Sequence, residues 1–192
     1  MKISDSPFVF IGNNLAVDFI NTEVMSRGHL VDLFQGSMAF DEWAQEVNLS
    51  LDGGMSLSDL ATVKDFRESL KALYAAKIDN LPPPDKALEK INYYLATYSK
   101  RQTLSFSQSE YVLQPIQDSL TIKNLLERIA YEAAALLASS QVTRLKRCSN
   151  PECVLIFLDT SKNQKRRWCS MDTCGNRAKV STHYKKITND NH

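Results

Sequence analysis

The chain has 192 residues, of which 43% are hydrophobic and 23% charged, and its net charge at pH 7 is +1. These values are ordinary for a folded protein of about this length, and they exclude disordered and fibrous classes. The start, residues 1–5, lacks the apolar stretch of a secretory signal, and no apolar run is long enough to cross a bilayer. We therefore expect an intracellular, cytoplasmic protein with no membrane partner.

The charge is divided unevenly along the chain. Residues 144–192 contain eleven Lys and Arg against four Asp and Glu, a balance of +7, whereas residues 1–143 have a balance of −6. An acidic body with a basic end is expected when that end meets a polyanion. The alternative is a solvated, lysine-rich end that has no partner.

Two stretches near the N-terminus have helical periodicity. Leu15 and Phe19 share one helical face, and Phe40, Trp43 and Val47 share another. Each stretch is therefore predicted to form an amphipathic helix that packs its apolar face on the core.

A capping box and a proline turn delimit the next two helices. Ser56 and Asp59 have the spacing of a capping box, and they open a stretch in which apolar residues recur every three or four positions. Three prolines at residues 82–84 end this stretch, and Asp85 suits the positive end of a helix that begins directly after them. The sequence therefore predicts two packed helices joined by the proline turn.

A short hairpin and the longest apolar stripe follow. Residues 103–106 and 111–114 alternate around a polar turn, as the strands of a hairpin do. The stripe occupies residues 122–137 and predicts another amphipathic helix. We therefore expect a mainly α protein, with a helical bundle and a short β-hairpin over residues 1–143 and a small basic domain over residues 144–192.

Polar residues interrupt the apolar pattern of the first helix. Asp18, Asn21 and Thr22 fall at three- and four-residue spacing on one helical face, where burial without partners is costly. They could line a pocket for a small-molecule effector, with Arg27 as a charged contact. The alternative, which we favour, is a hydrogen-bond bridge from this helix to a neighbour or to the basic domain.

All four cysteines lie in the basic domain. Cys148 and Cys153 form one pair, and Cys169 and Cys174 form a second pair with the same gap of four residues. Thiolates suit tetrahedral zinc, and four of them leave no open position for water, so we predict one structural Zn²⁺. Disulfides are the alternative that an intracellular chain disfavours, and unpaired buried thiols would not cluster in this way.

The segments around the cysteines predict a small zinc finger. Residues 154–159 are a β-prone run, and residues 165–168 are predicted to return as the second strand of a hairpin. A helix is predicted to begin at the second cysteine pair, which completes the parts of a treble-clef-like module. Its cations could neutralise DNA phosphates, and Arg177 near the helix start could reach a base edge. The candidate DNA contacts are Lys165, Arg166, Arg167, Arg177, Lys179, Lys185 and Lys186.

Several short stretches resemble a known family. The CGNR zinc finger is similar to Arg144-Leu-Lys-Arg-Cys148, Phe157-Leu-Asp-Thr-Ser161, Arg166-Arg-Trp-Cys-Ser-Met171 and Cys174-Gly-Asn-Arg177. In bacterial members this finger follows a helical domain called ABATE, whose start resembles Leu15-Ala-Val-Asp-Phe-Ile-Asn-Thr22, with Arg27 shortly after. The resemblance implies a stress-induced regulator of transcription. One departure, at Val154-Leu155, affects the packing of the finger hairpin.

No nucleophile elbow, phosphate loop or metal site with an open position is visible in the sequence, so we do not expect an enzyme. We predict a zinc-containing DNA-binding regulator whose helical body senses an effector or forms a homodimer, since paired half-sites need a dimer. The alternative is a protein-interaction module in which the zinc and the basic residues are purely structural. In that module, Arg166, Arg167 and Arg177 would pair with acidic residues of the same chain.

Overall fold

The computed structural model describes residues 6–99, 102–115 and 120–180. In these ranges the chain is mainly helical, with short antiparallel strand pairs, as predicted. The helices are α1 (Leu15–Ile20), α2 (Ser37–Glu46), α3 (Leu57–Ile78), α4 (Asp85–Leu95) and α5 (Ile122–Leu137). Among the described residues, no helix is both long enough and apolar enough to cross a membrane.

Side chains cap the starts of α1, α3 and α5. At α1, the Asn14 side chain accepts hydrogen bonds from the backbone amides of Ala16 and Val17. At α3, the predicted capping box is present: Ser56 Oγ accepts from the Asp59 amide, and the Asp59 carboxylate accepts from the Ser56 amide. These caps satisfy amides that have no partner inside the helix, which is why the sequence signals for helix starts hold in the structure.

The apolar faces of the helices meet in one core that is rich in aromatic rings. Phe19 of α1 is fully buried, and its ring centroid lies 5.4 Å from that of Trp43 of α2 and 5.8 Å from that of Phe66 of α3. Burying a ring of this size stabilises a fold by roughly 2–3 kcal/mol, and edge contacts between rings add to that. The short helix α1 is therefore held by packing rather than by its own length.

One strand pair was not indicated by the sequence pattern. β1 (Glu23–Ser26) and β2 (His29–Asp32) form an antiparallel hairpin directly after α1. Its turn consists of Arg27 and Gly28, which both have positive φ angles, 50° and 82°. This conformation is typical of a two-residue hairpin turn, and Gly28 adopts it without strain.

The second hairpin agrees with its prediction. β3 (Gln102–Ser107) pairs with β4 (Glu110–Pro115), and Leu104 lies opposite Leu113. The turn residues Gln108 and Ser109 both have positive φ angles, again typical of a two-residue turn.

The strand pair of the finger differs from the predicted one. A short 3₁₀ helix after α5 leads into β5 (Leu145–Arg147), which pairs with β6 (Ile156–Leu158). Residues 165–168, predicted to be the second strand, are not a strand. β6 is buried and needs an apolar partner, which Leu145 of β5 supplies. The predicted second strand cannot pair in this way at Arg166, because the amide of Arg166 donates to the side chain of Asp159.

The described part of the finger ends in the predicted helix. A π-helical turn, Met171–Gly175, contains the last cysteine, and residues 176–180 continue as an α-helix. Ser170 precedes the turn, and its Oγ accepts from the amide of Thr173. The helix start at the second cysteine pair is therefore confirmed.

Candidate metal centre and basic surface

The four cysteine sulfurs converge at the base of the finger. They all lie within 4.8 Å of one another, and Cys169 Sγ is 3.5 Å from Cys174 Sγ and 3.7 Å from Cys153 Sγ. In a tetrahedral site with metal–sulfur bonds of about 2.3 Å, the sulfurs are about 3.8 Å apart. The cluster, which also includes the buried Cys148, therefore has the dimensions and the donors to hold one metal ion.

Backbone hydrogen bonds hold the turn that contains the first pair of cysteines. The amide of Cys148 donates to the carbonyl of Leu155, and the amide of Cys153 donates to the carbonyl of Asn150. The Asn150 side chain accepts from the amide of Glu152, which tightens the same turn. The two pairs are joined where the amide of Cys169 donates to Cys148 Sγ at 3.4 Å.

The thiols influence one another's protonation. A hydrogen bond from Cys169 lowers the pKa of Cys153 to about 5, and the same contact, with burial, raises the pKa of Cys169. Burial also raises the pKa of Cys148. A divalent cation that binds four thiolates displaces the remaining protons, so metal binding here releases protons and weakens at low pH.

Asp159 anchors the loop between the cysteine pairs. Its side chain is fully buried and accepts from Lys146 Nζ at 2.7 Å, and from the amides of Ser161 and Arg166, both at 3.0 Å. Burial alone would raise the pKa of Asp159, but these hydrogen bonds outweigh it and hold the pKa well below its usual range. The ionised carboxylate therefore fixes a loop that has no regular structure of its own.

Arg166, a predicted DNA contact, is bonded inside the finger. Its guanidinium carbon lies 4.3 Å from the centroid of the Phe157 ring, and Nε donates to the carbonyl of Trp168 at 3.0 Å. Nη2 donates to the carbonyls of Cys169 and Ile11. This geometry gives Arg166 a structural position beside the cysteine cluster, although its guanidinium is bonded to backbone carbonyls and not to the acidic residues that the alternative of a structural module had predicted.

Two other predicted cations border a cleft between the finger and the end of α3. Lys165 and Arg167 are exposed and line a cavity of about 550 Å³ together with Ile78. The guanidinium carbon of Arg167 lies 4.9 Å from the centroid of the Trp168 ring. Arg147 lines the same cleft, but it forms a two-point ion pair with Asp79 at the end of α3.

The remaining predicted cations lie elsewhere. Arg177 is exposed and lines a second cavity, of about 380 Å³, with Val24 of β1 and Cys153. Lys179 is exposed on the helix at residues 176–180. Lys185 and Lys186 lie outside the described residues. Of the exposed candidate DNA contacts in the described residues, Lys165 and Arg167 thus line one cleft and Arg177 lines the other, whereas Lys179 lines neither of the two.

Asn21 joins the helical body to the finger. Its side chain is buried, with Nδ2 donating to the carbonyl of Ile156 at 2.8 Å and Oδ1 accepting from the amide of the same residue at 3.0 Å. Asn21 also lines a cavity of about 320 Å³ with Lys71 and Arg147, but Asp18, Thr22 and Arg27 are not among its lining residues. Arg27 is exposed at the β1–β2 turn. The structure therefore shows the bridge to the basic domain for Asn21.

Asp18 holds the segment that pairs with the outer side of β6. Its Oδ1 accepts from the amide of Gly12 at 2.7 Å, and the carbonyl of Gly12 accepts from the amide of Leu158 at 2.9 Å. A Cβ atom at position 12 would come within 2.7 Å of Val17 and 2.8 Å of Asp18, so only glycine fits. Burial raises the pKa of Asp18 to about 6, although the amides of Gly12 and Ile11 oppose the shift.

Thr22 accepts a hydrogen bond from Arg67, a buried arginine that was not predicted from the sequence. Arg67 of α3 is 1% exposed, and it donates to Thr22 Oγ1 at 2.9 Å and to both carboxylate oxygens of Asp32 at 2.8 Å. Its Nη2 also donates to Glu23 at 3.1 Å. A signal was present, because Arg67 falls on the apolar stripe of α3, four residues after Val63.

The bridge at Asn21 predicts a large loss of stability on truncation. Asn21→Ala leaves the buried amide and carbonyl of Ile156 without partners, so the free energy of unfolding should fall by about 2–4 kcal/mol. Chemical denaturation measures this change. Asn92→Ala, at an exposed position of α4, is the matched control and should change stability by less than about 0.5 kcal/mol. Equal effects of the two substitutions would contradict the bridge.

Asp18 predicts a pH-dependent term in the stability. The folded state keeps a proton up to about pH 6 that the unfolded state, with a pKa of 3.8, has already released. Stability should therefore fall as the pH rises through this window, by up to about 3 kcal/mol.

The difference in unfolding free energy between the wild type and Asp18→Asn, measured from pH 4 to pH 7, isolates this term. Contributions from the thiols and from other carboxylates are common to both proteins and cancel. The wild type should lose stability relative to the variant as the pH rises. Parallel curves would show that Asp18 titrates alike in the folded and unfolded states.

Two protein-family models match the chain. Residues 13–140 match the ABATE model, described as "Putative stress-induced transcription regulator", and residues 144–186 match the CGNR zinc finger. Neither description names an enzyme. No curated protein sequence matches the chain. The ABATE match covers about two thirds of the 192 residues and is followed by the CGNR match, in the order that the resemblance implied, and the chain therefore belongs to the ABATE family.

Proposed function

We propose that this protein is a DNA-binding regulator of transcription whose finger holds one structural Zn²⁺ and contacts the DNA backbone. Family membership supports the regulatory role. The observation that carries DNA contact is a group of exposed cations on the finger that pair with no carboxylate in the described part of the chain. The members of this group that the sequence predicted as DNA contacts are Lys165, Arg167, Arg177 and Lys179.

The donor set supports zinc as the metal. Four thiolates at tetrahedral separations suit Zn²⁺, whereas Mg²⁺ and Ca²⁺ prefer oxygen ligands. The proposed ligands Cys148, Cys153, Cys169 and Cys174 fill a four-coordinate site, so the ion has a structural role. Its main effect would be to fix the two ends of the loop that carries Lys165 and Arg167.

The metal proposal predicts one zinc per chain, measured by elemental analysis of the purified protein. Substitution with Co²⁺ should give the sulfur-to-metal charge-transfer bands of a tetrathiolate site, and these should diminish in Cys153→Ser. Ser149→Ala, an exposed neighbour, is the control and should leave the spectrum unchanged. A purified protein that contains no metal and takes none up, or a spectrum of oxygen ligation, would overturn the proposal.

Removal of the metal should destabilise the body as well as the finger. Ile156 and Leu158 of the finger belong to the same buried cluster as α1 and α3, so the two parts should unfold together. We expect a chelator to lower the Tm of one common transition. Two separate transitions, with the second unaffected by the chelator, would contradict this coupling.

The charges available for DNA are fewer than the sequence count indicates. Lys146 pairs with Asp159, Arg147 pairs with Asp79, and Arg166 is bonded to backbone carbonyls. Among the exposed cations, Arg167 has its guanidinium group restrained by contact with the Trp168 ring. This restraint lowers the loss of side-chain entropy when Arg167 binds a phosphate. Four phosphate contacts predict that log affinity falls against log salt with a slope of about −3 to −4.

Fluorescence anisotropy with random-sequence duplex DNA over a salt series measures this slope. Lys165→Ala with Arg167→Ala should weaken binding and reduce the magnitude of the slope by about 2. Arg166→Ala is unsuitable, because it would disturb the metal centre. Lys86→Ala with Lys123→Ala removes the same charge from exposed positions on the body and is the matched control.

The control double variant should retain most of the wild-type affinity. If both double variants lose affinity equally, binding depends on net charge and not on the finger. If the folded, zinc-loaded wild type does not bind at low salt, the DNA proposal is wrong.

A second candidate function is a structural role for the finger. It is favoured by one observation: β6 lies in the core of the body and is bonded to Asn21. In this version zinc stabilises the ABATE fold, and the exposed cations serve solubility or a protein partner. A chelator that unfolds the whole chain, combined with the absence of DNA binding, would favour this candidate over the first.

A further inference from the structure

One face of the β3–β4 hairpin is apolar and exposed. Leu104 lies opposite Leu113, and Phe106 lies opposite Tyr111, so all four side chains project from the same face. Leu104 and Phe106 are each 64% exposed, Tyr111 is 76% exposed and Leu113 is 59% exposed. The rings of Phe106 and Tyr111 contact each other, with centroids 4.9 Å apart.

This arrangement differs from that of an ordinary hairpin. In most antiparallel sheets the apolar face packs on the core and the polar face meets water. Here the opposite face carries four polar residues and one apolar residue, Val112, so it is mainly polar, but the apolar side is not covered by the described residues. The polar residues are Thr103, Ser105, Ser107 and Glu110. A two-stranded hairpin is only marginally stable by itself, so burial of its apolar face against a partner would stabilise it.

We propose that the apolar face of the β3–β4 hairpin is the dimer interface of this protein, and that it packs against the same face of a second copy. The four side chains carry no charge, so two identical faces meet without repulsion around a two-fold axis. The leucine and aromatic side chains of two such faces can interdigitate, as side chains do between packed sheets.

The size of the patch fits this occupant. From the exposed fractions of its four side chains, the face presents roughly 500 Å² of apolar surface, which is at the upper end for a patch on a monomer. Two such faces remove roughly 1,000 Å² from water when they pack together, about the lower bound for a specific interface. A reversible dimer with a Kd in the micromolar range is therefore expected.

The dimer interface goes beyond the proposed function and does not depend on it. The hairpin lies between α4 and α5 in the chain, far in sequence from the cysteines and the exposed cations of the finger. A dimer formed through it would nevertheless carry two fingers, and so could contact two half-sites on one duplex.

Sedimentation equilibrium of the full-length, zinc-loaded protein over the micromolar range tests the interface. The wild type should change from monomer to dimer as its concentration rises. An acidic-face variant, Leu104→Glu with Tyr111→Glu, should dimerise at least about 100-fold more weakly. The control places the same charges on the other face, Thr103→Glu with Val112→Glu, and should dimerise like the wild type.

Mixing two variants separates self-association from other effects. A basic-face variant, Leu104→Lys with Tyr111→Lys, should also be monomeric alone, and an equal mixture with the acidic-face variant should restore dimers. Circular dichroism and zinc content establish that each variant is folded. A wild type that stays monomeric throughout, or a dimer that survives in the acidic-face variant, would overturn the proposal.

Discussion

The side chain of Asn21 donates a hydrogen bond to the carbonyl of Ile156 and accepts one from the amide of the same residue. The position of the finger on the helical body depends on this contact. β6 has one strand partner in β5, and on its other side it is hydrogen-bonded to the side chains of Asn21 and Asn13 and to the carbonyl of Gly12. Because β6 is buried, each of these bonds avoids the cost of an unpaired polar group. The finger is therefore built into the core of the body and is not a separate appendage.

A second set of contacts begins at the adjacent residue. Asn21 points to the finger, whereas Thr22 accepts from Arg67, which also binds Asp32 at the end of the β1–β2 hairpin. Burial alone would raise the pKa of Asp32, but the hydrogen bonds and charge of Arg67 lower it well below its usual range. One network of buried hydrogen bonds and ion pairs thus connects the β1–β2 hairpin, α3 and the end of α1. Asn21, which is adjacent to Thr22 of this network, positions the finger.

The sequence predicted what local signals determine. Periodicity and the capping box at Ser56 located the helices, and the spacing of the cysteines indicated a cluster that the structure brings within bonding range of one ion. The β1–β2 hairpin was missed because it is short and its turn, at Arg27 and Gly28, lacks the usual asparagine or aspartate. The pairing of β5 with β6 was also missed, since it depends on burial against α1, which no local pattern encodes.

Charge illustrates the same limit in the candidate site. The count of cations in the finger treats Arg166 and Arg167 alike, yet their side chains point to different environments: Arg166 is bonded to carbonyls beside the cysteines, and Arg167 is exposed on the Trp168 ring. Neighbouring residues in an irregular loop have no fixed alternation, so periodicity could not separate them. The buried Asp159 accounts for the difference, because it accepts a hydrogen bond from the Arg166 amide, which sets the path of the loop and thereby determines which of the two cations is exposed.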